Sequence, residues 1–206
     1  MAESYRYDPL RKRYLTPDGK VVSLDTVRAL RDRWAEIQGD IARDMASRVT
    51  SGSWSLAEFE VAFRAWIGET MGGGYQLGRG GSGMMSVDDA FKLGTMISEQ
   101  WARMDGLTAD YARGQLSDPK FLAYVESQSG IGVNAFEQGQ GVTTGLDLPV
   151  YPADGETSCY WNCRCYWEIE EYDDRWEATW ITVGDELVCP ECDERGERYA
   201  PFTQMK

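Results

Sequence analysis

The sequence predicts an α+β protein, with a mainly α-helical body followed by a small C-terminal β-hairpin module of the zinc-ribbon kind. Apolar residues recur at steps of three and four from Leu24 to Phe136, which is the period of a helix. Beyond Cys163 the period becomes two, and all five cysteines lie between Cys159 and Cys192. With 206 residues and 42% hydrophobic content, the chain can build the core of one ordinary domain or two small ones.

Residues 1–22 are predicted to form an extended N-terminal arm. The segment carries a short basic run of Arg11, Lys12 and Arg13, and a turn signal at residues 17–19. It contains no apolar run of the length that a secretory signal or membrane anchor needs, and no later window approaches the roughly 18 apolar residues of a membrane span. We therefore expect a protein made and kept in a cytosol, without contact with a membrane.

Residues 23–138 are predicted to form the helical body, which begins with two long helices. The first should run for about 25 residues from Leu24, because its apolar residues form one continuous face. Ser55 and Glu58 form a capping box that should start the second helix. A glycine run beginning at Gly72 should end it, and residues 72–83 are predicted to be a flexible loop. A phosphate-binding loop is disfavoured, since no Lys-Ser or Lys-Thr follows and no apolar strand precedes.

The rest of the body should contain a third helix and one or two more. Ser86 and Asp89 form a second capping box, and residues 107–113 are predicted to add one or two further turns. Ser117 and Pro119 open another helical stretch, weakened at Gly130, which has room for two helices. Residues 139–158 are rich in Gly, Thr and Pro and are predicted to be a linker between the body and the C-terminal module.

Residues 159–206 are predicted to form a cysteine-rich module built on a hairpin. One face of its first strand carries Cys163, Cys165, Trp167 and Ile169. The other face carries Arg164, Tyr166, Glu168 and Glu170. Asp173 and Asp174 should turn the chain into a second strand over residues 176–183, which leads to Cys189-Pro190-Glu191-Cys192.

The cysteines predict a structural zinc site. A Cys-x2-Cys corner directs two sulfurs at one ion, and two corners joined by a hairpin supply the four thiolates that structural zinc prefers. The predicted ligands are Cys159, Cys163, Cys189 and Cys192, with Cys165 as the spare thiol and a possible substitute. Two alternatives stay open: buried cysteines with one disulfide, or a redox pair at Cys189 and Cys192, which would need a helix start in a βαβ setting.

Composition excludes several function classes. The chain has no histidine, which removes Ser-His-Asp and Cys-His catalysis and any His-ligated metal. Its net charge is -13, and residues 166–198 hold twelve acidic against three basic side chains, so nucleic acid would be repelled. The only material for an enzyme is paired carboxylates at residues 88–89 and 170–171, which are typical of solvated surfaces. We expect a protein without catalytic residues.

One group of segments lies in the predicted helical body, at residues 79–81, 85–89, Trp101, 114–117 and 135–137. A second group lies toward the cysteine-rich end, at residues 151–152, Cys159, 162–167, 176–180 and 189–192. In the same order, these groups resemble the helical body and the cysteine end of a known family, the minor head proteins of tailed phages. The tetrad Asn162-Cys163-Arg164-Cys165 is also similar to the wider Mu F-like head morphogenesis family, although here the paired cysteines follow the tetrad instead of preceding it.

The resemblance implies a virion component that acts in head assembly by binding other proteins. Its partners would be the phage portal protein, the major capsid protein or both, with several copies in each virion. The chain would reside in the host cytoplasm during assembly and in the virion head afterwards. The alternative is a cytosolic zinc-ribbon adaptor or regulatory protein unrelated to phage.

Overall fold

A computed structural model describes residues 5–152, 157–158, 165–182 and 188–206, and confirms the α+β class. The strands are β1 (Arg6–Asp8), β2 (Arg13–Leu15), β3 (Val21–Val22), β4 (Tyr166–Glu171), β5 (Arg175–Ile181) and β6 (Phe202–Met205). The helices are α1 (Leu24–Thr50), α2 (Leu56–Gly78), α3 (Val87–Ala112), α4 (Asp118–Ser127), α5 (Ile131–Thr144) and α6 (Pro190–Arg198). No helix in the described residues is long and apolar enough to cross a membrane.

Residues 5–22, the described part of the predicted N-terminal arm at residues 1–22, are not extended away from the body. From residue 5 onwards the described part forms an antiparallel sheet in the order β1-β2-β3, with Tyr14 and Leu15 almost fully buried. The Tyr14 hydroxyl donates to the carbonyl oxygen of Gly78 at 2.9 Å, and the backbone N–H of Tyr7 donates to that of Gly80 at 3.3 Å. Strands of two or three residues are too short to show periodicity, so the sequence pattern does not predict this sheet. Contacts with distant residues hold it in place.

The helices of the body begin where the sequence predicts. Ser23 caps α1, which runs for 27 residues. Capping boxes open α2 at Ser55 and Glu58 and α3 at Ser86 and Asp89. The predicted further turns at residues 107–113 are part of one continuous α3, and the stretch after Ser117 does contain two helices, α4 and α5. Phenylalanines and tryptophans of α2 and α4 fill the core between these helices.

The predicted loop at residues 72–83 is wrong, because α2 continues through Gly78. Two of its glycines, Gly74 and Gly78, lie against α5 so closely that backbone meets backbone. A Cβ atom on Gly74 would lie 2.1 Å from the carbonyl oxygen of Gly132, and one on Gly78 would lie 2.1 Å from that of Phe136. A Cβ on Gly139 would lie 2.3 Å from the carbonyl oxygen of Tyr75. Glycine therefore serves here for close helix packing, which outweighs its low helix propensity.

The predicted linker at residues 139–158 is also wrong in its first part. Helix α5 extends to Thr144, and Leu146 and Leu148 are buried in the core of the C-terminal module. The backbone N–H of Asp147 donates to Gln204 Oε1 at 2.8 Å. The segment that joins the two halves is thus packed against the module.

The C-terminal sheet has the antiparallel order β4-β5-β6. Trp167 pairs with Trp180 and Ile169 with Ala178, so the buried face of the hairpin is the one that the alternation predicts. Helix α6 and strand β6 were not predicted, since residues 190–198 are strongly charged and carry little apolar pattern. Together these elements enclose a core in which the described cysteines lie.

Candidate metal centre

Three cysteines from two distant segments lie in the core of the C-terminal module. Cys165 directly precedes β4, Cys189 is the N-cap residue of α6 and Cys192 lies in its first turn. Their exposed fractions are 7%, 8% and 0%. All three belong to one apolar cluster with Trp167, Trp176 and Trp180. The fold of the hairpin and α6 therefore places the paired cysteines beside the start of the first strand.

The turn of the paired cysteines is held by backbone hydrogen bonds. The N–H of Cys192 donates to the carbonyl oxygen of Cys189 at 3.0 Å, and the N–H of Asp193 donates to the same oxygen at 3.1 Å. Pro190 stands in the first turn of α6, where a missing N–H costs nothing. This local geometry fixes the two cysteines on one side of the helix start.

Two of the four predicted ligands, Cys159 and Cys163, lie outside the described residues. Of the other two, the structure brings Cys189 and Cys192 together, and it places the predicted spare thiol of Cys165 in the same cluster. Within the described ranges, which omit those two thiols, no group of three or more Cys, Asp or Glu side chains has an arrangement that could hold a metal. Thiols from two distant segments in one buried core are the donors that a structural zinc ion takes.

Glu191 ties the segment before Cys159 to the paired cysteines. The Ser158 hydroxyl donates to Glu191 Oε2 at 2.6 Å, and Ser158 is the sequence neighbour of Cys159. Hydrogen bonds from Ser158, from the Glu191 backbone N–H and from the Cys189 side chain lower the pKa of Glu191 to about 2. This role of Glu191 is not predictable from the sequence, where its only signal is its position between the two cysteines.

A redox pair at Cys189 and Cys192 requires a helix start and a βαβ setting, and only the first of these is found in the described residues. Cys189 and Cys192 do stand at a helix start, which the sequence analysis did not foresee. The surrounding sheet is antiparallel, however, and the motif follows a hairpin, so the βαβ setting is not found in the described residues.

The module is joined to the body by a buried charged junction that the sequence analysis also missed. Glu137 of α5 has a side chain only 1% exposed, and its Oε1 lies 3.8 Å from Arg31 Nη1 of α1. The backbone N–H of Trp167 in β4 faces this carboxyl group and acts to lower its pKa. Arg28 Nη2 donates to the carbonyl oxygen of Ile169 at 2.8 Å. Burial raises the pKa of Glu137 to about 8, despite the opposing effect of the two arginines.

The two carboxylates at residues 88–89 have different environments, one buried and one exposed. Asp89 is buried and accepts hydrogen bonds from the Ser86 backbone N–H at 2.8 Å, the Tyr75 hydroxyl at 2.9 Å and Arg79 Nε at 3.0 Å. Burial alone would raise the pKa of Asp89, but these bonds outweigh it and lower the pKa to about 2. Asp88 is exposed. The buried carboxylate therefore joins α2 to the start of α3 and has a structural role.

The second pair, at residues 170–171, lies on the exposed end of β4. The Tyr172 hydroxyl donates to Glu170 at 2.5 Å, and Lys206 Nζ lies 2.8 Å from Glu171. Both carboxylates thus contact neighbouring surface residues of the same sheet.

Comparison with known proteins adds no relative to this picture. No protein-family model matches the chain, and neither a curated protein nor a solved structure does.

Proposed function

We propose that the chain is a structural minor head protein of a tailed bacteriophage, and that it acts in head assembly by binding the portal protein, the major capsid protein or both. The observation that carries this proposal is an apolar ridge at the start of α3. Val87 is 84% exposed and Phe91 is 79% exposed, one helical turn apart on the same face. Val87 belongs to the segment, residues 85–89, in which the chain resembles phage minor head proteins.

The surroundings of the ridge suit contact with another protein. Ala90, Gly94, Ser98 and Ala102 are exposed at intervals of four residues along the same helix. Such small side chains leave the backbone open to close approach by a neighbouring element. Covering two large apolar side chains would be favourable by about 25 cal/mol for each Å² removed from water. A surface of this kind supports binding of a protein better than binding of a charged polymer.

Charge supports an early entry into the head. A chain at -13 is repelled by packaged DNA, and the acidic excess is concentrated in the C-terminal module. Protein contacts must then recruit it, in multiple copies, before the genome enters. It would be present in the host cytoplasm until that step.

The C-terminal module would be held by one structural zinc ion. The ligands in this proposal are Cys159, Cys163, Cys189 and Cys192, with Cys165 as the possible substitute. Support comes from the buried cluster of the three described thiols and from the bond between Ser158 and Glu191. When bound, a zinc ion of this kind cross-links a small core that has too few apolar residues to be stable alone.

We do not assign a reaction to the chain. Asp89, the buried member of the two acidic pairs, has its oxygens occupied by donors from Ser86, Tyr75 and Arg79. Its lowered pKa is that of a permanent anion and unsuited to proton transfer near neutral pH.

Purified tailless heads test the proposal. The chain should remain in heads separated from free protein, and empty procapsids of a packaging-deficient mutant should hold as many copies as filled heads. Replacing Val87 and Phe91 together by Ser should reduce incorporation strongly. The matched control is Val61→Ser on α2, a valine that is 75% exposed and lies outside the ridge, which should incorporate normally.

Two outcomes would contradict this reading. Heads that contain portal and major capsid protein but lack the chain would favour the cytosolic zinc-ribbon adaptor, which shares the metal site but not the location. A copy number that rises only with packaged DNA would overturn the argument from charge.

A further inference from the structure

A groove with a basic rim lies between the N-terminal sheet and the tip of the β4–β5 hairpin. Its volume is about 720 Å³, which falls within the usual range of ligand pockets. Val21 of β3, 56% exposed, gives one wall its apolar surface, and Tyr172 just after β4, 37% exposed, does the same for the other wall. Tyr7, Tyr14 and Trp176 also line the groove but are almost fully buried. The groove therefore offers apolar surface on both walls.

The rim of the groove has the opposite charge to the rest of the protein. Its cationic lining residues are Arg11, Lys12, Arg13 and Lys206, and its anionic ones are Glu171 and Asp173. Four positive and two negative side chains leave the lining at +2, whereas the whole chain stands at -13. The groove is thus a local exception in an acidic protein.

The cations on the N-terminal side are available to a ligand. Arg11 has an exposed side chain whose Nη1 is 3.8 Å from Asp8, a distance typical of a weak surface pair. Lys12 and Arg13 are exposed and make no ion pair with any residue in the described ranges. Across the groove, Lys206 already neutralises Glu171 at 2.8 Å and lies over the Trp176 ring at 4.8 Å.

We propose that this groove binds a short, extended acidic segment of a partner protein. Acidic side chains of the segment would pair with Lys12 and Arg13, and its alternate apolar side chains would pack between Val21 and Tyr172. Strand β3 is at the edge of its sheet, with β2 as its neighbour, so an extended segment fits the adjoining space. The inference rests on the proposed function in one respect, that the partner is a protein.

A peptide suits the groove better than other anions. Inorganic phosphate would use the cations and leave the exposed apolar side chains of Val21 and Tyr172 uncovered. A nucleic acid would extend past the rim onto a chain whose net charge is -13, which repels its phosphates. A short segment experiences the local +2 and the apolar walls together.

The test uses the purified full-length chain and a fluorescently labelled short peptide in which glutamate alternates with leucine. Fluorescence anisotropy should show binding that weakens with added salt. The same peptide with glutamine for glutamate should bind at least about tenfold more weakly, since removing charge partners at a contact lowers affinity by this order. Inorganic phosphate at equal concentration should not displace the acidic peptide.

Matched double variants show whether the rim is responsible. K12Q/R13Q should weaken binding about tenfold, while R33Q/K120Q should leave it unchanged. Arg33 and Lys120 are exposed and are not among the groove's lining residues, so the control removes the same charge outside the groove. Far-ultraviolet circular dichroism checks that each variant is folded. A third variant, Lys206→Gln, probes the opposite wall and should also weaken binding.

Three results would overturn the proposal: no binding of the acidic peptide at millimolar concentration, equal binding of the glutamine peptide, or equal weakening by both double variants. Displacement by phosphate would identify a simple anion site instead. Because the assay needs no phage particle, a failure here is separate from absence of the chain from heads.

Discussion

The helical body and the C-terminal module are held together by different means. In the body, α2 and α5 meet backbone to backbone at Gly74 and Gly78, and phenylalanines fill the remaining core. In the module, a sheet of three short strands encloses a small core that includes three cysteines. The body can be stable through packing alone, whereas we propose that the module also needs a metal cross-link. The contrast shows why one chain can combine glycine-rich helices with a cysteine cluster.

The largest effect should follow from removing a proposed zinc ligand. Cys192→Ser should abolish metal binding and expose the β4–β5 amides to hydrogen exchange, because structural zinc supplies on the order of 10 kcal/mol to small domains. The body should keep its ellipticity at 222 nm. Cys165→Ser is the matched control and should retain the metal. If Cys165→Ser loses zinc as completely as Cys192→Ser, Cys165 is a ligand and the proposed set is wrong.

A substitution that adds one methyl group between α2 and α5 should disrupt the packing of the body. Gly74→Ala places a Cβ atom 2.1 Å from the carbonyl oxygen of Gly132, so the helices must separate, at a cost of about 3 kcal/mol in unfolding free energy. Gly72→Ala is the control, since nothing lies within 4 Å of the new Cβ, and it should stabilise by up to about 1 kcal/mol. Urea denaturation followed by circular dichroism measures both. Equal effects would mean that α2 and α5 do not meet in this way.

The junction between the two halves should respond to pH. The pKa of Glu137 is about 8 in the folded protein, against 4.5 for an ordinary glutamate. Between these two pH values the folded chain therefore holds a proton that the unfolded chain has lost. Its contribution to stability is complete below pH 4.5 and is lost as pH rises through about 8, with a slope of up to about 1.4 kcal/mol per pH unit.

Glu137→Gln should flatten that slope and raise stability at pH 8 relative to the unchanged chain. The charged groups that face Glu137 are Arg31, Arg28 and Asp32, all on α1, and the Trp167 amide faces it from β4. Urea titrations at several pH values measure the slope. A slope that is the same with and without the substitution would show that the carboxyl group is ionised in the folded protein.

A smaller effect distinguishes two helix starts within the body. The Ser86 hydroxyl accepts the backbone N–H of Asp89 at 3.1 Å, whereas the side chain of Ser117 makes no capping hydrogen bond. Ser86→Ala should therefore cost about 1 kcal/mol, and Ser117→Ala only a few tenths. Thermal unfolding compares the two. A larger loss for Ser117→Ala would contradict the assignment of the caps.

The elements that the sequence predicts correctly are those with local signals. The apolar stripe of α1, the capping boxes at Ser55 and Ser86 and the alternation through Trp167 and Ile169 all depend on residues close together in the chain. Each signal lies within the same segment whose backbone geometry it predicts.

The features that were missed depend on distant partners. The glycines of α2 have low helix propensity on their own, and the reason for them lies some 60 residues away, in the glycines and carbonyl oxygens of α5. The N-terminal strands are held by contacts with Gly78 and Gly80. The junction at Glu137 joins three elements that no local pattern relates. Of the candidate metal site, spacing predicted the paired turn, while the role of Glu191 required the fold.

The most direct test of the central claim, that packing holds the body and a metal holds the module, is metal analysis combined with hydrogen exchange. Protein prepared without chelator should contain about one zinc ion per chain. Adding a chelator should remove the protection of the β4 and β5 amides against hydrogen exchange. The amides of α2 and α5 should stay protected. Absence of metal in such protein, or loss of protection in both halves at once, would contradict the account.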